Sequence, residues 1–173
     1  MQFSVGDTIV HPQFGAGRIT GVEHRELVEG FTEYFVIEIP GKNLTMYVPM
    51  RKFDELGIRR PMSRAGMARV LEALCDRPHW LPDDHKERQR LVREKLGSGS
   101  PIQVAEVVRD LSCRKEMARL TERDSALLAK GRDFLAGEMA TVTGEELAEV
   151  KMTIDGAVRS AVDTMGGESK EAA

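Results

Sequence analysis

Aromatic residues are scarce: the 173-residue chain has one Trp, two Tyr and six Phe. That argues against a large β-sandwich core, whose facing sheets are filled by bulky rings, and suits a helical part rich in Ala, Leu, Val and Met. Cysteine is nearly absent. Cys75 and Cys113 lie far apart and in no paired motif, which excludes a disulfide framework and fits free thiols in a reducing compartment. No apolar run reaches membrane-spanning length and no charged-then-apolar leader opens the chain, so a cytoplasmic protein without membrane contact is expected. The net charge of −3 excludes a chain that coats polyanions by total charge alone.

What is there is unevenly distributed. Residues 1–58 carry five basic and eight acidic groups, whereas residues 59–96 carry ten and six, a local charge of +4. Residues 97–136 are close to balanced, and residues 137–173 carry three basic and eight acidic groups. A basic middle therefore lies between a mildly acidic head and an acidic tail.

Up to about residue 50 the pattern has period two. Thr8–Val10 reads as a strand, followed by Pro12 and by glycines at 15 and 17, then by the alternating run Arg18–Val22. That is a tight hairpin, with glycine where φ is positive or where backbones approach closely. The segment from Gly21 continues to a turn at Gly30, Thr32–Ile39 alternates again, Pro40-Gly41 turns the chain, and Leu44–Val48 is a last strand closed by Pro49. Four or five short strands at roughly ten-residue spacing predict a small, strongly twisted SH3- or Tudor-like barrel.

After Pro61 the period becomes helical. Ser63 is placed to cap a helix with Met67, Val70, Leu71 and Leu74 on one face, ended by Pro78. Pro82-Asp83-Asp84 starts a second that stops at Gly97-Ser98-Gly99. Pro101 opens a third, with Ile102, Ala105, Val108 and Leu111 inward, and Thr121 caps a fourth that buries Leu127, Leu128, Phe134 and Leu135. A fifth is expected from near Thr143, where Glu146 completes a capping-box pattern. The fold class is therefore α+β, a barrel followed by a compact all-α bundle of about five helices. Its expected bounds are 1–52 for the barrel, 53–62 for a linker, 63–163 for the helices and 164–173 for a disordered tail.

Catalytic and cofactor signatures are missing. Gly41-Lys42 lacks both the upstream glycine and the following Ser or Thr of a phosphate loop. Cys75, His79 and His85 match no zinc spacing, and Asp83-Asp84 is a helix start rather than an acid–base pair. No enzyme, metal, cofactor or small-molecule ligand is expected.

Two features remain. On a helix from Asp83 to Leu96, Lys86, Arg90 and Arg93 share one face at i, i+4, i+7, with Arg88 and Lys95 on the opposite flank. Such a stripe can follow a phosphate backbone without reading sequence, and it also describes an ordinary solvated face. Trp80, the only Trp, sits between Pro78 and Pro82. It either anchors the loop or offers an exposed ring to a base stack.

The motifs F-x-V-G-D-T-I-V-H-P-x-x-G-A-G-R-I (Phe3–Ile19), E-Y-F-V-I-E-I-P-G (Glu33–Gly41) and Y-V-P (Tyr47–Pro49) resemble the opening domain of CarD/CdnL-type bacterial transcription regulators. That domain is also similar to the polymerase-interacting module of the transcription-repair coupling factor. The likeness continues through E-K-L-G-S-G (Glu94–Gly99), V-A-E-V-V-R-D-L (Val104–Leu111) and the segment Leu120–Met139. It implies that the barrel docks on the β subunit of RNA polymerase by adding an edge strand to its sheet. The strand that matches is His24, Arg25, Glu26, Leu27 and Val28, with a second contact at Tyr47, where the family often has a basic residue. The resemblance further implies that the helical half lies on promoter DNA at the upstream edge of the melted bubble and stabilises the open complex, so that the protein is nucleoid-associated through polymerase. The family's wedging Trp falls on His85, with Trp80 five residues earlier. Arg88 and Arg90 match basic family positions, and Glu87 stands where Arg is frequent. The DNA-contact candidates are thus Trp80, His85, Lys86, Arg88, Arg90 and Arg93. A divergent relative that binds polymerase or another protein, with little DNA contact, is the alternative.

Overall fold

In the computed structural model of the protein, residues 3–171 are described, with side chains as far as Met165. The period-two segments form an antiparallel meander of β1 (Thr8–His11), β2 (Gly15–Val28), β3 (Phe31–Ile39) and β4 (Leu44–Pro49), in the spatial order β1-β2-β3-β4. Ile9, Ile19, Ile37, Ile39 and Val48 point inward from the sheet and meet Phe3, Phe35, Phe53 and Ile58. The Phe53 ring lies 5.0 Å from Phe3 and 4.9 Å from Phe35, both in tilted or edge-on contact. Few rings are present, but the barrel gathers three of them, Phe3, Phe35 and Phe53, into one cluster.

The glycines of the first hairpin have separate reasons. Gly15 turns the chain between β1 and β2 at φ +88°, a conformation most side chains disfavour. At Gly17 the constraint is room: a Cβ there would strike the Ile39 side chain and lie 2.8 Å from the Glu38 carbonyl oxygen. The hairpin is therefore glycine-rich for its turn at Gly15 and for the closeness of β3 to β2 at Gly17.

The segment expected as a linker packs within the first unit and makes one isolated bridge to β1. After β4 the chain returns to β1, where Val10 N–H donates to the Arg59 carbonyl at 2.8 Å and Arg59 N–H donates back at 3.1 Å. With Phe53 and Ile58 in the core, the first unit runs to Pro61 and the second begins at Met62.

His11 is the one imidazole in this unit's buried set among the described residues. Its Nδ1 accepts the Gln13 N–H at 3.1 Å and its ring lies 4.8 Å from Phe14. Burial, helped by the charge of Lys42, holds its pKa below the ordinary 6.5. The unfolded chain thus takes up the proton first as pH falls, and folding stability declines from about pH 6.5 downward. Unfolding midpoints measured between about pH 7.5 and 5 should show this slope, and His11→Asn should flatten it. An unchanged slope in that variant assigns the pH dependence elsewhere.

The second unit comprises α1 (Arg64–Cys75), α2 (His85–Gly97), α3 (Pro101–Met117), α4 (Glu122–Thr143) and α5 (Leu147–Glu171). Ser63, Asp84, Ser100 and Thr121 each accept the backbone N–H three residues on, satisfying amides that a helix start leaves orphaned. α3 is the central element, packed against all the other helices. Val104, Ala105, Val107, Val108 and Leu111 are buried on it with Val70, Leu74, Val92, Leu96, Leu135 and Ile154 from its neighbours.

One expectation is corrected at the C-terminal end. Thr143 closes α4 instead of capping α5, because Gly144 takes a left-handed C-cap conformation at φ +77° and its N–H reaches the Ala140 carbonyl. The last helix then begins at Leu147 and continues to Glu171. Ala172 and Ala173 lie outside the described residues. Among the described residues, no helix is long and apolar enough to cross a membrane, and no cluster of His, Cys, Asp or Glu is arranged to hold a metal ion.

Candidate functional site

On the barrel, the structure brings together two residues that lie more than twenty positions apart in sequence. The Arg25 guanidinium sits over the Tyr47 ring at 4.8 Å, and its Nε is 2.7 Å from the Glu23 carboxylate. Tyr47 is 42% exposed, and Leu27 and Val28 are exposed at the end of β2. His24 stands 3.8 Å from Glu33, both exposed. The face is mixed aromatic, cationic and aliphatic, a composition common at protein interfaces.

The matched docking strand is not a regular edge. After a first shift between Ile19 and Gly21, β2 pairs with β3 in one register from Gly21↔Val36 to His24↔Glu33, but the next pair is Val28↔Phe31. Arg25, Glu26 and Leu27 therefore bulge against a single residue, Thr32. Glu26 turns back on the bend and accepts the Gly30 N–H at 3.0 Å, while Val28 N–H donates to the Tyr34 hydroxyl. β4, by contrast, pairs continuously with β3 from Tyr34↔Pro49 to Ile39↔Leu44 and has no strand on its other side among the described residues. Its free edge carries Tyr47.

On the helical unit, Trp80 is 74% exposed. It lies on the irregular segment between α1 and α2, where the sequence left an anchoring role equally open. His85 begins α2 and is exposed, followed by exposed Lys86, Arg90 and Arg93. Arg90 reaches the Glu94 carboxylate at 3.4 Å, an exposed i,i+4 pair of little energetic weight. Asp84, also exposed, caps α2; the Glu87 N–H on its carboxylate holds its pKa below the ordinary value.

Arg88 departs from the expectation. It is 3% exposed, so it is not available to a phosphate. Its Nε and Nη2 both donate to Asp124 Oδ2, at 3.2 and 2.8 Å, and its Nη1 donates to the carbonyls of Pro82 and Asp83 at 2.7 and 2.9 Å. Burial works against the Asp124 carboxylate, but the Arg88 guanidinium and the Thr121 hydroxyl and amide outweigh it, and the group stays below its usual range. Lys95 is likewise engaged, 2.7 Å from Glu106.

A second buried pair has no signature in the sequence. Arg109 and Asp110 are both about 1% exposed at the side chain, with Nε to Oδ1 at 2.8 Å. Arg109 Nη1 donates to the Ala73 carbonyl at the end of α1, and Asp110 Oδ1 accepts the His79 N–H. Here burial prevails and raises Asp110 above the ordinary carboxylate range, against the pull of the His79 amide and of Arg109. Cys113, one turn on, is pushed up to about 11 by burial, so it is not a reactive thiol.

Residues 3–62 match the family of the CarD-like/TRCF RID domain, and residues 69–155 match that of the CarD C-terminal domain. The chain belongs to the CarD family. It is also 28% identical over 151 residues to YdeB of Bacillus subtilis (strain 168), whose name gives it a provisional role as a transcription factor. That likeness covers 86% of this chain and 97% of YdeB. A CarD-family chain is a transcription factor and not an enzyme, and its barrel is of the polymerase-interacting type. The resemblance seen in the motifs is therefore upheld over both units.

Proposed function

We propose that this CarD-family protein binds the β subunit of RNA polymerase through its barrel and stabilises the promoter open complex through its helical unit, at the upstream edge of the bubble. The observation that carries the DNA half is Trp80, a large ring left 74% exposed on the segment that leads into α2. An indole so exposed suits insertion at a base step, and Lys86, Arg90 and Arg93 along α2 suit the flanking phosphates. Trp80 then takes the wedging role that His85, with its smaller ring, fills poorly. With Arg88 interior, the phosphate-contact set is smaller than the sequence implied, and binding without polymerase is correspondingly weak.

The docking half rests on Arg25 and Tyr47 lying against each other beside the open edge of β4. Strand addition along β4 supplies backbone hydrogen bonds, and the Arg25–Tyr47 pair supplies the side-chain contact that fixes the partner. Arg and Tyr are frequent hot spots at interfaces. Arg25→Glu should therefore weaken binding to the isolated β lobe by at least about tenfold, as should Tyr47→Ala, in a titration of labelled lobe. Parental affinity in both variants would place the interface on another face of the barrel. The DNA half can fail while docking holds, and the two tests tell these outcomes apart.

A further inference from the structure

We infer that the buried pairs Arg88–Asp124 and Arg109–Asp110 are positioning residues for Trp80, an inference that rests on the wedging role proposed above. Residues 76–84 form nine positions without helix or strand, the kind of connection that ordinarily moves. Here the segment is held on both sides of the Trp. Before it, Asp110 holds the His79 N–H at 2.9 Å and Arg109 Nη2 lies 3.1 Å from His79 Nδ1, while Arg109 Nη1 ties the pair to the Ala73 carbonyl in the last turn of α1 at 2.9 Å. After it, Arg88 holds the Pro82 and Asp83 carbonyls, and Arg114 reaches the Asp83 carboxylate at 3.1 Å. Each guanidinium of the two pairs is itself fixed by a buried carboxylate, one on α4 and one on α3.

The arrangement is unusual in what it leaves out. Four side chains are taken out of water to brace a loop whose largest residue remains in it. Buried ion pairs are often no more stabilising than apolar residues of the same size, so stability alone does not account for them. A braced loop fixes the direction of the indole before DNA arrives, and the ordering cost of binding falls accordingly.

The test uses Trp80 as its own probe, since it is the only Trp. In the full chain, Arg88→Met with Asp124→Leu removes the pair without stranding a charge, and Arg88→Lys keeps the charge but loses the fork that spans carboxylate and carbonyls. Folding is checked by thermal unfolding, and where the double variant fails to fold, Arg88→Lys carries the test. The readouts are the time-resolved anisotropy of Trp80 and the lifetime of the open complex. The expected result is added fast motion of Trp80, a lifetime shortened at least about threefold toward that of Trp80→Ala, and unchanged affinity for the β lobe. Folded variants whose Trp80 moves no more than in the parent overturn the inference. Added motion with no lifetime change in these variants or in Trp80→Ala upholds the bracing and instead overturns the wedging role.

Discussion

Asp124→Ala is expected to destabilise the helical unit by about 3–5 kcal/mol. Asp124 has no exposed surface, and its carboxylate is the ion-pair partner of the buried Arg88 guanidinium. Truncation leaves Arg88 charged in an interior where its remaining acceptors are the two carbonyls of Pro82 and Asp83. It also removes a group from the first turn of α4, where a negative charge is favourable. Urea unfolding at neutral pH measures the loss, and a change below about 1 kcal/mol would place the pair in the class of solvated surface bridges. The pH dependence has a definite sign. Because the folded pKa of Asp124 lies below its unfolded value, the stabilisation is fully present above the ordinary carboxylate pKa and is lost as pH falls through the folded one. Asp110 acts oppositely: its raised pKa makes protonation stabilising as pH falls through the folded value. The acid limb of stability should therefore steepen less than Asp124 alone dictates. The double replacement Arg88→Met with Asp124→Leu should be far milder than Asp124→Ala, the non-additivity expected of residues in direct contact.

Trp80→Ala is expected to shorten the open-complex lifetime by about tenfold or more while leaving the affinity for polymerase unchanged. Holding a base step unstacked costs about a few kcal/mol, and each 1.4 kcal/mol of lost stabilisation is about a tenfold change in rate. The loss should appear in the rate at which the bubble collapses, read by challenging preformed complexes with a competitor. His85→Ala, on the same helical unit, should have the smaller effect. Equal lifetimes for the parent and Trp80→Ala would remove Trp80 from the DNA interface.

The barrel was legible because its signals are local. Alternation in Thr32–Ile39 set Phe35, Ile37 and Ile39 on one face, and the glycines marked the turn and the close approach. The fate of residues 53–62 was not legible, since a return to β1 is a long-range pairing that Phe53 and Ile58 hint at only by being apolar. Helix starts were written in their caps, with one exception at Thr143. There the capping-box spacing to Glu146 competed with Gly144, and the glycine's left-handed C-cap won.

Arg88 is the instructive site residue. Its match to a basic family position pointed outward, yet its spacing to Val92 and Leu96, i+4 and i+8, placed it on the buried stripe of α2. What no local pattern supplied was its partner, Asp124, thirty-six residues away. Trp80 and Arg25–Tyr47 were equally non-local. The residues were singled out in the sequence, but exposure in the one case and contact in the other are properties of the fold.

On the proposed reading, the helical unit engages DNA appreciably once the barrel is tethered to polymerase. Binding to a forked promoter DNA, with and without polymerase and across a salt series, tests it most directly. The expected result is a salt-dependent gain that appears with polymerase, with a log–log salt slope that falls by roughly 0.9 for each phosphate that Arg90→Ala or Arg93→Ala no longer neutralises. Normal polymerase binding with no contribution from DNA at any salt would contradict it and make the helical unit a surface for a second protein.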